Sequence, residues 1–139
     1  MNHWLFKSEP DTWSWDQQVA KGAAGEEWGG VRNYQARNNM RAMRLGDLGF
    51  FYHSNQGKEI VGIVEVCAES APDSTTDDAR WDCVHIRALR PLRRPVTLED
   101  CKAEPALAGM ALVTNTRLSV QPVTPEEWAI VCRMAGLEN

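Results

Sequence analysis

The sequence predicts an α+β fold, a small bent sheet or barrel, mostly antiparallel, with short helices around it. Three observations carry this. The 139 residues are 43% apolar and 24% charged, the composition of one globular core. Short β-branched and aromatic runs cluster in mid-chain with brief links, which favours antiparallel pairing. Helical signals are short and scattered around that cluster, in no regular βαβ order. No repeat or low-complexity tract interrupts the chain, so residues 1–139 read as a single domain.

Each element has a local reason. His3–Phe6 is apolar and aromatic and reads as a first strand, ended by Pro10 in Ser8-Glu9-Pro10-Asp11. Thr12 is expected to cap a helix running to about Lys21. Gly22–Gly30 is a glycine-rich loop with Trp28 alone inside it. Asn33 caps a helix to about Arg44, whose Ala36, Met40 and Met43 form an apolar seam beside a basic seam of Arg37, Arg41 and Arg44. Gly46-Asp47 ends it. Leu48–Ser54 and Ile60–Cys67 are strands joined by a turn at Gln56-Gly57, and Cys83–Ala88 alternates as a third. The acidic link Glu69–Asp82 is expected to be an exposed, mobile loop, and Pro91 and Pro95 to bracket a turn. Thr97 starts a helix, Pro105 opens another short one, and Arg117–Val123 reads as a last strand. Thr124-Pro125-Glu126-Glu127 is a capping box with proline at the first helical position, and Gly136 suits the far end.

Charge and motifs exclude several classes. Fifteen Lys and Arg against nineteen Asp and Glu give a net charge of −4, which argues against a polybasic, histone-like protein. No apolar run approaches the ~18–20 residues of a membrane span, and the N-terminus lacks a signal-peptide pattern. The four cysteines form no Cys-x-x-Cys pair, so reduced thiols are expected and no metal or cofactor is. A cytoplasmic protein, monomeric and with no membrane partner, is the expectation. Dinucleotide, Walker-type, nucleophile-elbow and His-x-x-x-His motifs are all missing.

Three clusters carry chemistry. Trp28 stands among glycines, either a lid over the core or a stacking platform for a planar ligand. Residues 31–58 hold five cations (Arg32, Arg37, Arg41, Arg44 and Lys58) against Asp47, together with the amides of Asn33 and Asn38. That is either a solvated helix face or a surface for phosphates and base edges. Phe50-Phe51-Tyr52-His53-Ser54 runs a strand out into polar groups, with Phe50 and Tyr52 on one face and Phe51 and His53 on the other. Trp4 and Trp128 fit core positions, and Trp13 and Trp15 fit helix packing.

Together, Trp4-Leu5-Phe6-Lys7-Ser8-Glu9-Pro10, Trp28 through Asn38, Phe51-Tyr52-His53-Ser54, Ile60-Val61-Gly62-Ile63 and Arg117 through Val123 resemble the EVE domain family over roughly residues 2–137. Gly29 departs from the acidic residue many members carry there. The resemblance implies a PUA-like bent barrel related to YTH and ASCH modules. It also implies binding of nucleic acid with a modified base, such as modified cytosine in DNA, turned out of the stack into a pocket. On that reading Ser8, Trp28, Asn33, Asn38, Tyr52, His53, Ser54, Leu118 and Ser119 form the base pocket. Lys7, Arg32, Arg37, Arg41 and Arg117 hold the sugar-phosphate backbone. The rivals are an RNA reader, an enzyme using His53 as general base, and a module whose arginine helix binds an acidic protein.

Overall fold

The computed structural model describes residues 1–137. Six strands form one mixed sheet, β1 (His3–Ser8), β2 (Glu26–Glu27), β3 (Leu48–His53), β4 (Glu59–Pro72), β5 (Asp82–Thr97) and β6 (Val120–Val123), in the order β2-β5-β4-β3-β1-β6. Five helices surround it: α1 (Trp15–Ala20), α2 (Tyr34–Ala42), α3 (Leu98–Ala103), α4 (Ala111–Thr114) and α5 (Pro125–Met134). Short 3-10 turns lie at Gly22–Ala24 and Pro105–Leu107. Neighbouring strands pair antiparallel except β1 and β3, which are parallel. Parallel partners need a long crossover, and the chain between them carries α1, β2 and α2.

Side-chain alternation divides the interior into two cores. Leu5 on β1 and Phe50 and Tyr52 on β3 point to one side, under Cys101, Leu107, Leu112, Trp128 and Val131. Trp4 and Phe6 on β1 and Phe51 on β3 point to the other, under Trp15, Trp28, Ala36, Met40 and Met43. Trp128 stacks on Phe50 with centroids 3.9 Å apart. Asp47 accepts from the Trp4 indole N–H at 3.0 Å and from the Arg44 amide at 3.0 Å, which fixes the exit of α2 against β1. Burial pushes all four free thiols up, Cys83 to about 12, Cys101 to about 11, and Cys67 and Cys132 in the same direction.

Several boundaries differ from the sequence expectation. The first helix is capped by Ser14, not Thr12, in a reciprocal box with Gln17. The Thr12 and Trp13 amides instead turn back to the Glu9 carbonyl. Pro91 and Pro95 do not bracket a turn; β5 runs through both. Beyond Ile86 that strand has only β4 as a neighbour, and a strand edge tolerates a residue with no N–H. The acidic link is strand only at its ends, Glu69–Pro72 closing β4 and Asp82 opening β5, and the turn between them is tied down by ion pairs from Asp73 to Arg32, just before α2, and from Asp82 to Arg41 on α2. The last strand is confined to Val120–Val123. The caps at Asn33, Thr97 and Thr124 stand as expected, and Gly136 closes α5 at φ 78°.

Trp15 lies directly on Gly62 of β4, where any Cβ would collide with its ring. Gly62→Ala is therefore expected to cost about 1–3 kcal/mol, as overpacking of a filled core does, read as a lower melting temperature with unchanged far-ultraviolet circular dichroism.

Candidate functional site

A cleft of about 560 Å³ opens between the end of β1, the segment before α1 and the loop leading into α2. Its size lies within the roughly 300–1,000 Å³ range of small-ligand sites. Ser8, Trp13, Trp28, Arg32, Asn33 and Ser119 contribute to its lining, with Lys7 and the acidic residues Glu9, Glu26 and Glu27. Trp28 meets Phe6 and Phe51 edge-on, with centroids at 5.5 and 5.8 Å, and keeps 8% of its surface exposed. The indole is thus both lid and wall: it closes the smaller core and still lines the cleft. Its backbone N–H is fixed to the Val84 carbonyl at 2.8 Å.

Asp73 secures the glycines that follow. Only 2% exposed, it accepts from the Gly30 amide at 2.9 Å, the Thr75 amide and hydroxyl at 2.8 and 2.7 Å, and Arg32 Nη1 at 3.1 Å. Burial opposes its charge, but these donors outweigh it and hold the carboxyl down at about 2. Asn33 Oδ1 caps α2 by accepting from the Ala36 amide at 2.9 Å, which leaves its Nδ2 as the donor at the cleft. Lys7 donates to the Thr116 carbonyl at 3.0 Å, and burial lowers its pKa. The Ser8 hydroxyl donates to the Trp13 carbonyl and so presents lone pairs to an incoming donor.

Of the residues expected at the site, Lys7, Ser8, Trp28, Arg32, Asn33 and Ser119 come together here. Tyr52 does not: strand alternation turns it into the opposite core, where burial pushes its hydroxyl up to about 12. His53 lies on the correct face but is used structurally, its Nε2 accepting the Trp15 amide at 3.0 Å. Ser54 extends the β1–β3 ladder through its amide to the Ser8 carbonyl, and Leu118 is buried in the smaller core. Asn38 accepts from its neighbour Arg37 and lies outside the cleft. Arg37 donates to the Arg80 carbonyl, Arg41 pairs with Asp82 at 2.6 Å, and Arg117 is exposed outside the lining. The cationic seam of α2 is therefore met by the acidic link, which the sequence placed in solvent.

Trp13 was expected to pack within a helix, yet it reaches the cleft. The Ser14–Gln17 box was the signal: a helix beginning at Trp15 leaves Trp13 in the preceding turn. Gln18, fully buried, accepts the Trp13 indole N–H at 2.9 Å and donates to the Ile86 carbonyl at 3.0 Å, fixing that ring against β5. Glu27, Asp73 and Cys83 bring ligand atoms within 4.8 Å of one another. The donor set does not suit a cation, since Asp73 is saturated with protein donors and burial beside the carboxylates keeps the Cys83 thiol protonated.

The mixed sheet, its short helices and the cleft at the end of β1 define a PUA-like α+β protein. The EVE domain description matches residues 2–134, and the chain belongs to that family. It is similar to mouse thymocyte nuclear protein 1, at 37% identity over 99% of this chain and 75% of that one. The crystal structure of Agrobacterium tumefaciens protein Atu2648 matches at 66% identity and a TM-score of 0.99, covering 100% of this chain and 96% of that one. Human THYN1, crystallised with DNA containing 5-methylcytosine, matches at 34% identity and a TM-score of 0.91, covering all of both chains.

Burial lowers the His53 pKa against the opposing pull of Glu59 and Asp16. A depressed folded pKa means the histidine supports the fold fully above its ordinary value near 6.5, and that support is lost as pH falls through the folded value. Melting temperature is expected to decline over that interval, and His53→Gln should flatten the decline. His3, lowered by burial too, supplies the remaining slope.

Proposed function

We propose that this chain is a non-catalytic reader of modified bases, one module that accepts a single extruded nucleobase in the cleft at Trp28. Modified cytosine in DNA is the ligand this reading favours. The observation that carries it is the cleft itself, walled by indoles and edged by Lys7 and Arg32. The kinship with the human protein crystallised on 5-methylcytosine DNA supports the same ligand class.

An extruded base needs contact for its faces and partners for its edge. Trp28 and Trp13 supply apolar contact, with base–aromatic stacking contributing about 1–3 kcal/mol. Ser8, Asn33 and Ser119 supply polar groups. The rim carboxylates can accept the exocyclic amine of a cytosine, as Glu and Asp do in groove readout. Lys7 and Arg32 sit where a sugar-phosphate backbone would enter. Arg117 lies on the flank, while Arg37 and Arg41 act at longer range because the acidic link engages them. No helix described is long and apolar enough to cross a membrane.

The test is fluorescence anisotropy with matched oligonucleotides carrying cytosine or 5-methylcytosine, as DNA and as RNA. Trp28→Ala is a poor probe, because it would also open the core. Asn33→Asp is better: Asp caps a helix as well as Asn, so melting should change by only a few tenths of a kcal/mol. The cleft donor becomes a carboxylate, and affinity is expected to fall at least about tenfold, the loss of one charge-sensitive hydrogen bond. Lys7→Ala should weaken every oligonucleotide alike and lower the slope of log affinity against log salt by about 1. A wild-type protein that binds methylated and unmethylated strands equally would reject the reading.

A further inference from the structure

We infer that Tyr34, stacked on Trp81 and next in the chain to the cleft residue Asn33, is a second stacking platform that takes the nucleobase adjoining the one in the cleft; this rests on the reader function above. Tyr34 opens α2 directly after Asn33, which lines the cleft. It is 50% exposed, among the most exposed large apolar side chains described. An exposed ring is usually mobile, but this one is held. Its ring lies over the buried Trp81 at 5.0 Å and 23°, and its hydroxyl accepts from Arg80 Nη1 at 3.2 Å. Arg37 is 4.9 Å from the Tyr34 ring and 5.9 Å from Trp81. With 5.0 Å between the rings, those three distances form a nearly equilateral triangle. Arg37 therefore sits beside the ring pair and does not cover the face of Tyr34 opposite Trp81.

A fixed, half-exposed aromatic ring with cations at its edge combines the two elements of sequence-tolerant nucleic-acid contact, a π-face and attraction for the backbone. The platform is continuous with the cleft. Arg32 lines the cleft and also lies over Trp81 at 5.4 Å, so one guanidinium bridges the two places. A base flipped into the cleft brings its chain neighbours within reach of this ring. Stacking there replaces the stack that extrusion breaks.

The experiment is anisotropy on a 5-methylcytosine DNA strand, with flanking nucleotides intact or replaced by abasic residues. Tyr34→Ala is expected to bind the intact strand roughly tenfold more weakly, within the range of a lost base–aromatic stack. It should bind the abasic strand as the wild type does, and keep the wild-type preference for methylated over unmethylated cytosine. Tyr34→Phe keeps the ring and should match the wild type throughout. Wild-type affinity from Tyr34→Ala on the intact strand, or an equal loss on intact and abasic strands, overturns the platform. The methyl preference of the wild type judges the cleft separately, and a wild type that binds no strand overturns both.

Discussion

Asp73 is almost wholly removed from water, and a carboxylate in that position keeps its charge only if protein donors replace the solvent it lost. Its donors come from three places: the Gly30 amide after Trp28, Arg32 before α2, and Thr75 within its own turn. One carboxylate therefore joins the glycine-rich loop, the entry to α2 and the β4–β5 connection. The position of Trp28 against Phe6 and Phe51 depends on that junction, as does the aim of Arg32. Gly29 fits the same junction, because a Cβ there would press on the carboxylates of Asp73 and Glu27 at 3.0 Å. The small residue at this position is matched to the acids around it.

The cleft inherits its rigidity from the smaller of the two cores. Several wall residues adjoin a buried anchor: Trp13 is hydrogen-bonded to Gln18, Ser119 precedes Val120, and Lys7 follows Phe6. Gln121 reinforces the Ser119 side, its amide nitrogen donating to the carbonyls of Ala111, Asn115 and Leu118. Pockets held by locked side chains lose little entropy when a ligand arrives. The larger core, under α3 to α5, stabilises the sheet without touching the cleft. Changes there affect stability and leave recognition alone.

Three of the four helix caps expected from the sequence stand, and Thr12 alone gives way to Ser14. Asn33, Thr97 and Thr124 cap helices because a short polar side chain must satisfy the first free amides, and that requirement is readable without tertiary knowledge. Trp28 was legible as unusual because no periodicity asked for it. What remained hidden depends on pairing across long separations. The acids of the Glu69–Asp82 link look solvated until Arg32 and Arg41 are seen opposite them. Tyr52 fell on the wrong side although the alternation of Phe50, Phe51, Tyr52 and His53 already placed it with Phe50. The resemblance drew the whole segment into the pocket, whereas the two-residue period of a strand admits only one face. Pro91 and Pro95 misled because strand propensity carries no information about which strand lies at an edge.

The four thiols bear on how the protein can be studied. Each is driven toward its protonated form by burial, so nucleophilic thiolate is scarce at neutral pH. Maleimides and iodoacetamides discriminate on that property. A cysteine engineered into open solvent beside the cleft would outcompete the native four for such reagents. A dye or spin label could then be attached at one chosen point without first stripping the chain of its own sulfur, and its signal would follow the arrival of a nucleic acid directly.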